Sequence, residues 1–105
     1  MARSGIICLD PRIAIENVLS RLLSAVSKIG ADRVAEIRGG RRWARTVLEM
    51  NSDRVVIEAL ADRGILAVSA HSETMDPTEL SLIASKVGRA LLGTHRCRKL
   101  RELKQ

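Results

Sequence analysis

The side chains best equipped for chemistry lie in one stretch, Arg38-Gly39-Gly40-Arg41-Arg42-Trp43-Ala44-Arg45. Four arginines flank two consecutive glycines, no acid follows before Glu49, and Trp43 is the only aromatic residue in the chain. Guanidinium forks make charge-assisted hydrogen bonds to phosphate or carboxylate, and glycine lets a backbone approach such a group closely. The stretch reads as a turn that binds an anion or a partner through Arg38, Gly39, Gly40, Arg41, Arg42, Trp43 and Arg45. The alternative is a plain hairpin turn with solvated arginines. The spacing matches neither a Gly-x-Gly-x-x-Gly fingerprint, nor a Walker loop, nor the Gly-x-x-Gly clamp of KH domains. Trp43 either covers a core edge or anchors a partner.

A second basic cluster, Arg96, Arg98, Lys99, Arg101 and Lys104, stands against Glu102 alone. The chain carries a formal net charge of +6, of which residues 38–45 and 94–105 each hold +4 while all other positions together hold −2. Two local patches on a near-neutral body point to an acidic protein or phosphorylated ligand, with nucleic acid as the alternative partner. Solubility alone is the plainer use of such charge. With no Phe, no Tyr and one Trp, stacking platforms for bases are nearly absent.

No other group makes a convincing catalyst. Cys8 and Cys97 lie far apart with no Cys-x-x-Cys spacing, so they read as reduced thiols in a cytoplasmic protein, with no zinc site and no disulfide framework. Cys97 sits between Arg96 and Arg98, where positive charge favours a thiolate, yet an incidental thiol is the preferred reading. His71-Ser72-Glu73 holds groups of hydrolytic type, but adjacency in sequence is not triad geometry, and it reads as a polar loop. His95 reads as a surface residue. No metal or cofactor is expected, and the chain leans away from enzymatic activity. Only four apolar residues lie between Gly5 and Asp10, too few for a signal-peptide core, and no apolar run is long enough to span a membrane.

The surrounding elements must present these patches. Residues 5–9 form a short strand or a cover for the core. Asp10-Pro11 predicts a helix start, and Ile15, Val18, Leu19, Leu22, Val26 and Ile29 recur at helical spacing until Gly30. Residues 33–38 and 43–50 read as a strand–glycine turn–strand hairpin, with a helix over 43–50 as the rival. Asn51-Ser52-Asp53 predicts a second helix start, with Val56, Ala59 and Leu60 on one face and Gly64 as its stop. Residues 65–68 read as a buried strand, and Asp76-Pro77-Thr78-Glu79 starts a last helix through Leu80, Ile83, Ala84, Val87 and Leu91.

This order, over residues 13–92, resembles the enzyme IIB domain of the glucose-type sugar phosphotransferase system. Residues 59–68 resemble that family's step from helix through glycine to apolar strand. The family motif Cys-x-Thr-Arg-Leu-Arg falls on residues 42–47, where Arg45 matches as the phosphate-side arginine while Arg42 replaces the phosphorylated cysteine and Ala44 the threonine. The resemblance implies a fold without the family's phosphoryl transfer. The expected architecture is a small two-layer α+β sandwich, ordered helix–strand–strand–helix–strand–(short strand)–helix. Its sheet is mainly antiparallel with helices on one face. Residues 1–93 form the domain and 94–105 a basic tail or helix extension. The function implied is a non-catalytic binding or regulatory domain.

Overall fold

The structure is a computed structural model that describes residues 2–104, the side chain of Lys104 excepted. Eight elements follow in chain order: β1 (Ala2–Leu9), α1 (Val18–Val26), β2 (Arg33–Gly39), β3 (Trp43–Met50), β4 (Asp53–Asp62), β5 (Ile65–Ser72), α2 (Pro77–Leu92) and β6 (Leu100–Lys104). The strands form one sheet in the order β2-β3-β4-β5-β1-β6, with every pairing antiparallel. Both helices join a single core with one face of this sheet.

The helix-first order is therefore wrong. A strand comes first, and it enters the sheet between β5 and β6 instead of merely covering the core. The first helix is also shorter than its apolar spacing suggested. Asp10 does not cap it: its carboxylate accepts the backbone N–H of Arg12 at 3.0 Å and that of Arg98 at 3.2 Å, and binds the Arg12 guanidinium. Ile13 and Ile15 are still buried, but from irregular backbone rather than from a helix face. Helix α1 starts where the amides of Val18 and Leu19 find the carbonyls of Arg41 and Gly40, at 3.0 and 3.1 Å. The β2–β3 turn thus caps α1 by satisfying two of its otherwise orphaned N-terminal donors.

The helix expected after Asp53 is a strand. Val55, Ile57, Ala59 and Ala61 are buried, and the residues between them are not, which is a period of two. The β-branched run Val55-Val56-Ile57 favours the pleated form. Asn51 and Ser52, with φ of 48° and 71°, make the two-residue hairpin that joins Met50 to Asp53. Gly64, at φ 71°, closes the next hairpin rather than ending a helix. No separate short strand lies between β5 and α2, and His71 and Ser72, read as part of a polar loop, finish β5.

Helix α2 follows its sequence signals. The Asp76 carboxylate accepts the Thr78 amide at 2.7 Å, Pro77 opens the helix, and Gly93 with φ 62° follows it. Residues 100–104 are neither tail nor helix extension; they form edge strand β6 on β1. A disulfide joins Cys8 of β1 to Cys97, just ahead of β6. That corrects the reading of both cysteines as reduced thiols and removes the premise for a cytoplasmic location. Among the described residues no helix is long and apolar enough to cross a membrane.

Candidate functional site

Antiparallel connectivity sends three segments to one end of the sheet: the β2–β3 turn, the β4–β5 turn and the exit of β1. The segment entering β6 meets them there. Backbone hydrogen bonds tie these loops together. Ala61 N–H donates to Arg42 O at 2.7 Å, Asp10 N–H to Gly64 O at 2.9 Å, and Gly64 N–H to Ile13 O at 3.1 Å. The basic residues at this end are thus held on braced loops.

Two clefts open there. The first, about 280 Å³, runs between the β2–β3 and β4–β5 turns, with Arg41, Arg42 and Arg63 around it and Glu16 and Asp62 as its acids. The second, about 550 Å³, is lined by Arg63, Arg98, Lys99 and Arg101 beside the β1 exit. Arg63 borders both. The two basic patches of the sequence therefore meet at one end of the molecule, with Arg63 as the link.

Ion pairs neutralise little of this charge. Arg42 contacts Asp62 at 3.5 Å with both side chains largely exposed, a geometry worth little in water. Among the described residues, the one pair with a buried member joins Asp10, at 1% exposure, to the exposed Arg12 side chain at 2.8 Å. The Arg12 side-chain hydrogen bonds, then the Arg12 and Arg98 amides, hold the Asp10 carboxyl well below the usual carboxylate range, and Asp10 in turn raises the Arg12 guanidinium above its ordinary value. Arg41, Arg63, Arg98, Lys99 and Arg101 form no ion pair among the described residues.

Compared with protein-family models, curated proteins and solved structures, the chain matches none at a significant level. The site must be judged on its own geometry.

That geometry divides the arginine-glycine stretch. Arg41 and Arg42 face the first cleft. Arg38 and Arg45 are cross-strand partners on the helix-free face of the sheet, and both pair with Glu36 at 3.3 Å. The glycines shape the hairpin. Gly40 N–H donates to Trp43 O at 2.8 Å, so that amide is unavailable as part of an anion cradle. A Cβ on Gly39 would run into the Trp43 carbonyl. Trp43 is half-exposed, at 47%, on the helix-free face, so it does not seal the core.

In the second cluster, Arg98, Lys99 and Arg101 line the cleft. Arg96 does not line it; the Arg96 carbonyl accepts Arg12 Nη2 at 3.5 Å. Lys104 pairs through its backbone with Ser4 at the opposite end of β1, and its side chain lies outside the described residues. Cys97 has no thiol to offer, since it is bonded to Cys8.

His71 and Ser72 are the last residues of β5 and make no relay. Ser72 Oγ accepts the amides of Thr74 and Met75, both at 3.2 Å, while the buried Nδ1 of His71 has no hydrogen-bond partner. Burial, and secondarily Arg3, lowers the His71 pKa, so the ring is neutral near neutral pH.

Arg63 and Arg12 are the site residues that sequence reasoning missed. The signal for Arg63 was the alternation of residues 53–62: as a strand antiparallel to β3, that segment returns Arg63 to the end that holds Arg41. Arg12 gave no comparable signal, because its role depends on Asp10 being buried.

Proposed function

We propose that the protein is a non-catalytic binding domain whose basic end contacts the phosphate backbone of a nucleic acid. The carrying observation is the junction at Arg63, where patches separated by about half the chain become one surface. Five strand ends, β3 to β6 in space, bring their loops to this end; at ~4.8 Å per strand that is about 19 Å. A single anion needs one cleft. A surface of this width, with cations spread along it, suits several successive phosphates at ~3.4 Å of rise per nucleotide. The scarcity of aromatic side chains fits contacts to backbone rather than to stacked bases. The enzyme IIB resemblance rested on a helix-first order and lends nothing to this reading.

The test is fluorescence polarisation with labelled 20-nucleotide single-stranded and duplex RNA and DNA over a salt series. Four to five cations engaging phosphates give a slope of log K against log salt near −4 for a duplex. Arg63→Ala should weaken binding several-fold for every sequence and reduce that slope by about one. Absence of binding at low salt to all four probes sinks the proposal. Binding instead to an acidic polypeptide such as polyglutamate, with no nucleic-acid shift, would move the same surface to an acidic protein partner.

A further inference from the structure

The sheet face opposite the helices carries a second pattern, independent of the basic end. Along the register of β3 and β4, Trp43 stands opposite Leu60, Arg45 opposite Glu58, Val47 opposite Val56 and Glu49 opposite Arg54. Trp43 and Leu60 are 47% and 51% exposed, and the row continues through Ala67 of β5 to Ile7 of β1. No described element covers this face, although exposed apolar side chains grouped in this way mark interaction sites.

We infer that this face binds a second copy of the chain. The argument is self-complementarity. A two-fold axis parallel to the strands, between β3 and β4 in the interface plane, places each residue of those four pairs over its cross-strand partner in the other copy. Arg45 then meets Glu58, Glu49 meets Arg54, and Trp43 meets Leu60, each twice. The same operation lays β2 over β5 and puts Glu36 over His71. Neither Glu58 nor Arg54 has an ion-pair partner among the described residues, so both are available to the other copy. The overlap covers four strands, about 19 Å across at ~4.8 Å each, along the eight residues of β3, about 26 Å at ~3.3 Å each. That is about 500 Å² per copy and about 1,000 Å² in all, the lower bound for a specific interface. The dimer is therefore weak and concentration-dependent. Because the axis follows the strands, both basic ends emerge on the same side.

Sedimentation velocity from about 1 to several hundred micromolar reads the association, and the single Trp reports which face is used. We expect a monomer–dimer equilibrium accompanied by a blue shift of Trp43 emission. Glu58→Arg and Arg45→Glu should each raise the dimer dissociation constant about tenfold or more, since like charges then face each other. The double swap should restore association. A chain that stays monomeric throughout the range overturns the inference. So does a dimer that Glu58→Arg leaves intact, since it would use another surface such as an edge strand. If circular dichroism shows a swapped variant unfolded, the native chain decides: association without a shift in Trp43 emission also overturns it.

Discussion

Asp10 shows how one buried carboxylate can organise a surface it does not itself present. At 1% exposure it accepts from the Arg12 amide, the Arg12 guanidinium and the Arg98 amide, joining the β1 exit to the segment that enters β6. Its pKa is depressed, so its contribution to stability is fully present above the unfolded carboxylate value of about 3.9 and is lost as pH falls below it toward the folded value. Thermal unfolding followed from pH 7 to pH 2 should show an acid limb in the native chain. Asp10→Asn should lower Tm at pH 7, because it removes the charge-assisted bonds, and should flatten that limb. An unchanged limb in the variant assigns acid sensitivity to other carboxylates. His71 works in the same sense at a higher pH: with its pKa lowered, it weakens the fold as pH falls below about 6.5, where the unfolded ring takes up a proton that the folded ring resists.

Among the elements, α2 lies close against β1, and Gly88 permits that approach. A Cβ at position 88 would overlap the Ile6 side chain, which is itself buried at 2% exposure. Gly88→Ala should therefore cost about 1–3 kcal/mol by overpacking, despite alanine's better helix propensity. Urea unfolding checks this, and Gly88→Ala combined with Ile6→Val should recover part of the loss. A gain in stability from Gly88→Ala alone would mean the helix can slide off β1. Helix α2 was also the most legible element in the sequence, because Asp76, Pro77 and Gly93 act locally on the backbone and its apolar spacing is unbroken. The β2–β3 hairpin was legible for the same reason, through Gly39 and the alternation from Trp43 to Met50. Helix α1 and strand β4 were not. Asp10-Pro11 carries every local mark of a helix start, and Asp10 Oδ1 does accept the Arg12 amide, but the backbone stays irregular until Val18, where the Arg41 and Gly40 carbonyls, distant in sequence, accept the first helical amides. In β4, Val56, Ala59 and Leu60 fit a helical face only because the buried Val55, Ile57 and Ala61 are left out. For the site, Arg41 and Arg42 were legible as charge. Their separation from Arg38 and Arg45 followed from strand register, and the part played by Arg63 from a sheet order that no local signal encodes.

At the scale of the whole molecule, the chain is closed by joining its two ends. Strand β6 is a five-residue edge strand paired only with β1, and the Cys8–Cys97 disulfide anchors the segment that leads into it across 89 positions. Chain-entropy reasoning for a loop of that length gives about 4–5 kcal/mol of stabilisation through the unfolded state. That is a large share of the ~5–15 kcal/mol typical of a domain. The bond also fixes the basic surface, since Arg98, Lys99 and Arg101 reach the cleft beside Arg63 only while β6 lies on β1. Without it, the segment still has hydrogen bonds to hold it, among them the Leu9 N–H to Lys99 O bond at 3.0 Å and that of the Arg98 amide to the Asp10 carboxylate at 3.2 Å. Short edge strands held in this way open locally well before the core does. Limited trypsin digestion with and without dithiothreitol, read by mass spectrometry, should show cleavage after Arg96, Arg98, Lys99 and Arg101 accelerating on reduction while the β3–β4 region stays protected. Cys97→Ser should reproduce that pattern, lower Tm, and weaken backbone binding by roughly the contribution of the three cations, reducing the salt slope by about three while Arg41 and Arg63 retain the remainder. If reduction leaves both cleavage and slope unchanged, the β1–β6 ladder alone holds the basic end together, and the disulfide acts only on the unfolded chain.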